Sequence, residues 1–304
     1  MTTVTTIIPV YNDQGNAEKA VASVLAQTRP SDEIIVVDDG SEQPFVLSPD
    51  AREKNVRIIR QENKGPAAAR NTGITSASGD YLAFLDSDDT WLPMKLEQQL
   101  ACISALPKNT ESLTICATGF SISGHYTSRK RTAQRALIPL PASSVEQFAM
   151  GCWYCPGSTL MAHRNVFQAV GQYDATLRRY EDYEFGLRLA IKGGSVAVCS
   201  TVLSAISPRI RHSELSPYPS VEAIRARYCT ALEQRSSKAL SKLEAFLELE
   251  CAASHWRQKR YATMSRHLIR SLFHQPRLRT QVHALWRDAG AADEAHGIAN
   301  PFKS

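Results

Sequence analysis

In YLAFLDSDD (81–89), a run of apolar residues ends by delivering three carboxylates, Asp86, Asp88 and Asp89, into one turn. Crowded carboxylates repel one another unless a cation neutralises them, and hard oxygen donors suit Mg²⁺ or Mn²⁺. A divalent ion held by one or two protein carboxylates keeps positions that phosphate oxygens can fill. An Asp-rich turn that caps the helix following Pro93 accounts for the same residues without any ligand.

Upstream, the pattern that produces this turn repeats. VTTIIPV (4–10), EIIVVDD (33–39) and NVRIIR (55–60) read as strands. Residues 14–27, with Ala17, Ala20, Val21, Val24 and Leu25 at helical spacing, read as a helix, and GPAAARNTGITSA (65–77) as the start of another. Alternating strands and helices with short breaks predict βαβ units on a largely parallel sheet. Ligands of such sheets sit beyond the carboxyl ends of the strands. That rule gathers Asp38, Asp39, Asp86, Asp88 and Asp89, with Asp38 and Asp39 facing a pocket opened by Pro9, Tyr11 and Asn12. The stretch NKGPAAARNTG (63–73) sets Lys64, Arg70 and Asn71 around a Gly-Pro turn and a helix start, an arrangement that favours phosphate. Pairing of Arg70 with a strand-end Asp is the structural alternative. No GxxxxGK[ST] is present and no GxGxxG follows the first strand, so P-loop and NAD-type chemistry lose support.

Downstream, residues 113–120 and 157–162 read as strands, separated by a polar, basic stretch (123–135) expected to be a mobile loop. Residues 164–170 and 182–192 read as helices and 195–206 as one or two strands. RRYEDYEFGLRLA (178–190) opens its helix with Glu181, Asp182 and Glu184. Acids there are good capping, and a carboxylate in a cleft is also a natural general base for an alcohol. PRIRHSELS (208–216) brings Arg209, Arg211 and His212, and a histidine can donate to phosphate or complete a metal shell.

The 304 residues are 43% apolar and 21% charged, which disfavours wholesale disorder and a disulfide miniprotein. No apolar run approaches the about 18 residues a membrane-spanning helix needs. The first residues lack a basic region and cleavage site, so a cytoplasmic protein is expected. Seven irregularly spaced cysteines read as reduced thiols, with Cys152 and Cys155 more plausible as small buried groups than as a metal or redox pair. Residues 1–219 carry 21 Lys+Arg against 22 Asp+Glu, whereas residues 220–304 carry 14 against 8. The basic excess belongs to a tail of long helical patterns, and a boundary is expected near residue 219. Its mixture of Trp256, Leu268, Ile269, Leu272 and Phe273 with Arg257, Lys259, Arg260, Arg266 and Arg270 suits peripheral contact with an anionic membrane. It also suits a helical appendage packed on the rest of the chain or on another subunit, the reading preferred here. Basic charge alone, with no dedicated motif, does not point to nucleic acid.

The ordered set IIPVYN, VVDDGS, NKGPAAARNTG, GDYLAFLDSDDTWLP, GSTLMAHRNVFQAVGQYD and RRYEDYEFGLRLA, spanning roughly residues 4–216, resembles the family 2 glycosyltransferases. The resemblance implies an α/β GT-A fold over residues 1–219, with a nucleotide-sugar-binding half (1–112) and an acceptor-binding half (113–219), followed by a helical extension (220–304). It implies inverting transfer of a monosaccharide from a nucleotide-diphosphate sugar, UDP favoured, to a hydroxyl of a glycan or lipid-linked acceptor in cell-surface polysaccharide synthesis. Pro9, Tyr11, Asn12, Asp38 and Asp39 would line the nucleotide pocket, with Lys64 and Arg70 near the diphosphate. Asp88, with Asp86 nearer the ribose or sugar, would serve Mn²⁺ or Mg²⁺. Asp182, beside Glu181, would be the catalytic base. His212 falls near a late basic loop, where IRHSELS departs from the commoner Tyr-Arg-x-His. A nucleotidyltransferase and a non-catalytic nucleotide-sugar-binding protein are the alternatives; sugar, acceptor and oligomeric state stay open.

Overall fold

Strands buried on both faces need helices on both sides, and the first hundred residues supply them in turn. The computed structural model describes residues 2–52, 55–107, 110–125, 132–151, 157–207, 216–276 and 286–288. Along the chain come β1 (Val4–Val10), α1 (Gln14–Leu25), β2 (Glu33–Asp38), α2 (Pro49–Arg52), β3 (Val56–Arg60), α3 (Pro66–Ser76) and β4 (Tyr81–Phe84). There follow β5 (Thr90–Trp91), α4 (Lys95–Ser104), β6 (Thr114–His125), β7 (Thr132–Pro139), α5 (Val145–Phe148), β8 (Met161–His163), α6 (Arg164–Val170), α7 (Glu181–Ile191) and β9 (Ser195–Ile206). Then come α8 (Tyr218–Arg235), α9 (Ser237–Arg257), α10 (Tyr261–His274) and β10 (Trp286–Asp288).

The sheet runs β10-β7-β6-β8-β4-β1-β2-β3, with β9 pairing both β5 and β6. Its first half is parallel, β1 lying between β2 and β4 with Val10 opposite Asp38 and Ile7 opposite Phe84. From β4 onward β8, β6, β7 and β10 are antiparallel to their neighbours, while β9 runs parallel to β6. Side chains alternate between two cores. Ile7, Ile35, Val37, Leu82 and Phe84 face α3, α6 and α7, whereas Val4, Ile8, Ile34, Val36 and Ala83 face α1 and α4.

Two expectations are corrected. The stretch 157–162 is a tight 3₁₀ turn (Gly157–Thr159) followed by the short strand β8, because Thr159 and Ser158 are buried and bonded as a connector. The expected loop 123–135 is largely a hairpin: β6 extends to His125 and β7 begins at Thr132, with buried Leu137 opposite Phe120; residues 126–131 lie outside the described residues.

The pattern change near residue 219 coincides with the start of α8, where Pro219 suits the first turn. The helices nonetheless share a core with the sheet: Val221, Ile224, Leu232, Leu243 and Phe246 belong to the same buried cluster as Phe84 and Phe185. Glu184 of α7, fully buried, accepts hydrogen bonds from Arg188 (2.8 Å), Arg227 (3.3 Å) and the Tyr228 hydroxyl, the last two on α8. Phe246 of α9 packs on Tyr183 with ring centroids 4.4 Å apart. These contacts realise the preferred reading for α8 and α9, an appendage packed on the rest of the chain.

Gly73 is where α3 touches the sheet, since a Cβ there would stand 2.3 Å from Ile7 Cγ2. Gly73→Ala should therefore cost about 1–3 kcal/mol through overpacking. Urea unfolding of the two proteins checks it, and an unchanged midpoint would mean that Ile7 gives way freely.

Candidate active site

Strand ends and one helix start converge on a cleft of about 510 Å³. Pro9 and Tyr11 reach it from the end of β1, Asp39 from the end of β2, and Lys64, Gly65 and Arg70 from the approach to α3 and its first turns. Asp86, Asp88 and Asp89 come from the turn after β4, Glu181 and Asp182 from α7, and Ser207 from the end of β9. Asp39, Asp88 and Asp182, far apart in sequence, thus line one cavity.

Arg70 is the hub. Its side chain is only 5% exposed, and its guanidinium lies 2.8 Å from Asp86 Oδ1, 3.2 Å from Glu181 Oε1 and 3.7 Å from Asp182 Oδ1. The buried Tyr173 ring packs against it, its centroid 5.7 Å from the guanidinium carbon. Burial works against the Arg70 charge, but Asp86, Asp182 and Glu181 hold it well above its ordinary value. Arg70 therefore pairs with acids, the structural alternative its sequence context offered, while lining the cleft.

Asp182 keeps 19% of its side chain open to the cleft. Burial pushes its carboxyl up to about 7; Arg70 opposes the rise and the Glu181 and Asp86 charges add to it. The chain enters α7 through Tyr180, which holds the left-handed backbone conformation (φ 66°) uncommon for a residue with a bulky side chain. Its hydroxyl donates to Glu250 of α9 at 3.1 Å, so the turn into α7 is braced by the extension.

The other sequence candidates divide. Asp39 lines the cleft while its carboxylate accepts from the backbone N–H groups of Lys64 (3.0 Å) and Gly65 (2.8 Å) and from the Gln61 amide (2.7 Å). Asp38 is outside the cleft, 1% exposed, accepting from the Ser41 and Phe45 backbone N–H groups and from Arg60 at 2.6 Å. Burial raises its carboxyl, but the Ser41 and Phe45 hydrogen bonds and the Arg60 charge outweigh it and leave the group below the usual range. Asn12, also off the main cleft, lines a smaller neighbouring hollow and ties its turn to the 40s loop through Ser41 and Glu42. His212, Arg209 and Arg211, like Cys152 and Cys155, lie outside the described residues.

Ser158 is a supporting residue whose role was not foreseen. Its hydroxyl accepts from the Asp86 N–H (3.0 Å) and donates to Asp89 (2.5 Å), while its carbonyl accepts from the Trp91 indole (2.8 Å). Asp89 also accepts from the Ser207 N–H at 2.8 Å, and burial with the Asp86 charge raises it to about 7. Asp89 is therefore a buried brace under the turn, not a third group pointing outward. No ready cluster of three metal-ligating side chains exists among the described residues. Asp86 and Asp88 are hard oxygen donors on the cleft wall, and such a pair fits a divalent ion whose shell is completed by phosphate oxygens and water.

Residues 5–170, more than half the chain, match the family described as Glycosyl transferase family 2. The chain belongs to that family. Among its relatives, an uncharacterized glycosyltransferase of Rickettsia felis is 48% identical over 101 residues, 33% of this chain and 17% of the relative. The succinoglycan biosynthesis protein ExoW of Rhizobium meliloti is 43% identical over 101 residues, 31% of each. An uncharacterized glycosyltransferase of Haemophilus influenzae is 28% identical over 190 residues, 60% of each. The chain thus spans less than two thirds of the length of these curated relatives. The crystal structure of S. aureus TarS 1–349 in complex with UDP-GlcNAc shares the fold, with TM-score 0.64 and 17% identity, covering 89% of this chain and 80% of that one.

With Arg70 replaced by Met, three acids lose their shared cation, and stability should fall by about 3–5 kcal/mol near pH 8. The loss should shrink toward acid, where the acids are protonated. The sign in the unaltered protein agrees: a folded Asp182 value of about 7 against an ordinary 3.8 means that the native state binds more protons across that window, so this group's contribution declines as pH rises. Urea titrations at both ends of the window test this, and a pH-independent loss would contradict it.

Proposed function

We propose that the chain transfers a monosaccharide from a nucleotide-diphosphate sugar to an acceptor hydroxyl of a glycan or lipid-linked glycan, with inversion. The observation that carries this reading is the meeting of Asp86, Glu181 and Asp182 on Arg70 at the wall of a cleft that Asp39 and Asp88 also line. Membership of the family supports the reaction class, TarS with bound UDP-GlcNAc supports a UDP-sugar donor, and ExoW's part in succinoglycan biosynthesis supports a polysaccharide product.

The reading assigns the nucleotide to the side of Pro9, Tyr11 and Asp39, and the sugar to the space between Asp86 and Asp182. Asp88, with Asp86, would hold Mn²⁺ or Mg²⁺. When bound, that ion offsets the negative charge gathering on the departing diphosphate. With Arg70 paired to acids, the other cations that line the cleft among the described residues, Lys64 and Arg178, are assigned to the diphosphate. Arg178 Nη1 lies 3.9 Å from where a Gly65 Cβ would stand, over the turn into α3.

Asp182 takes the acceptor proton as the hydroxyl oxygen attacks the face of the sugar opposite the diphosphate. The C–O bond to phosphate breaks, and the new glycosidic bond forms with the anomeric centre inverted. Arg70 and Glu181 keep Asp182 oriented, and the raised value near 7 gives a base strong enough to accept that proton.

Incubation with a panel of nucleotide sugars and Mn²⁺ should release nucleoside diphosphate; pyrophosphate in its place would indicate a nucleotidyltransferase. Asp182→Asn should lower turnover ~10²–10⁴-fold with donor affinity retained, and unchanged turnover would remove it from the base role. The pH profile of kcat/KM gives an independent check: since the unprotonated carboxylate is the active form, the rate should climb through an inflection at about 7 and then level. Arg178→Ala should weaken donor binding by about 10–100-fold, the worth of a charge-assisted hydrogen bond. Isothermal titration with UDP measures it, and equal affinities would move the diphosphate elsewhere.

A further inference from the structure

The last described helix is turned inside out. On α10 the buried positions are polar: His267 bonds the Tyr218 hydroxyl (2.7 Å) and Glu248 (2.6 Å), and the Ser271 hydroxyl donates to the Ala245 carbonyl (2.8 Å). Its apolar side chains point away, with Phe273 87% and Ile269 66% exposed and Leu272 and Tyr261 exposed beside them. At about 100° per residue these four fall on one stripe, with Arg266 and Arg270 along one border. The stripe continues past the turn into Trp256, which is exposed and meets Tyr261 edge-on with ring centroids 5.6 Å apart. Arg257, Lys259 and Arg260 fill that turn. Residues 251–276 contain five Lys or Arg and no Asp or Glu.

A single exposed apolar residue needs no explanation, but a continuous stripe with an aromatic end marks a contact surface. The charge selects the occupant. In a two-fold pairing of this face with itself, each copy would bring five cations and no acid against the other, so like charge opposes self-association. A bilayer rich in anionic headgroups answers both features: acyl chains accept Ile269, Leu272 and Phe273, the interface suits Trp256 and Tyr261, and phosphates meet the arginines. None of the described helices is long and apolar enough to cross a membrane, so the contact is in-plane. We infer that the outer face of α10, with the Trp256–Tyr261 corner, docks this protein on anionic lipid.

The inference is independent of the transfer reaction and is tested without it. The full chain is sedimented with phosphatidylcholine vesicles that do or do not contain about one third phosphatidylglycerol. Binding is expected only to the anionic vesicles and should fall with added salt. The double variant I269S/F273S should weaken it by more than about tenfold and R266Q/R270Q by about fivefold per charge removed, with melting temperatures unchanged. Equal binding to neutral vesicles, or none to either, would overturn the inference. So would a dimer in analytical ultracentrifugation that F273S dissolves, which would make the face a self-interface. A lower melting temperature of I269S/F273S without lipid would show the face already covered by the chain itself, with the same consequence.

Discussion

One buried guanidinium organises this protein's chemistry. Arg70 sits among Asp86, Glu181 and Asp182, which come from stretches far apart in the sequence and would repel one another around a buried position without it. A buried cation shared among several acids is costly to desolvate, and the cost is offset only because every partner stays in place. That constraint explains the rigid surroundings: Gly73 brings α3 against Ile7, Tyr173 supports Arg70, and Ser158 holds the turn that presents Asp86. The same burial raises the proton affinity of Asp182, a rise that Arg70 opposes and the Glu181 and Asp86 charges add to.

The C-terminal helices are part of that rigidity. Buried Glu184, two residues beyond Asp182, bonds Arg227 and Tyr228 of α8, while Tyr180 on the other side bonds Glu250 of α9. The start of α7 is therefore clamped from both flanks by the extension. Acids that look equivalent in the string EDYE serve two purposes because helical geometry sends them in different directions: Asp182 toward the cleft and Glu184 toward α8.

Much of this could be read from residue pattern. β1, β2, β3, α3, α6, α7 and β9 fall within a residue or two of their expected spans, since their periodicities are clean and Gly, Pro or Asp marks their ends. The gathering of strand-end acids followed from topology, and the cleft contains Pro9, Tyr11, Asp39, Lys64, Arg70, Asp86, Asp88 and Asp182. What pattern could not supply was direction. Asp38 ends β2 and Asp39 follows it, so the two face opposite ways, and only the parallel pairing with β1 decides which one meets the cleft. The pairing of Arg70 with a strand-end Asp, Asp86, was legible, but its further partners Glu181 and Asp182 lie on α7, more than a hundred positions away, and local sequence holds no trace of them. β7 was missed because its apolar residues are few and adjoin a basic stretch; its partner β6, rather than its own composition, makes it a strand. The left-handed Tyr180 was invisible for a related reason, as no local preference asks for it.

The two borders of the sheet are treated differently. At one, β10 pairs antiparallel with Leu137–Pro139 of β7 and becomes the outer strand there. At the other, β3 is short, and Arg57 and Arg60 reach from it to Glu33 and Asp38 on its inner neighbour. An extended segment of a stranger protein approaching that border would have to displace or bury fixed positive charge before forming a ladder. The β3 border is thereby guarded by charge against ladder formation with another chain.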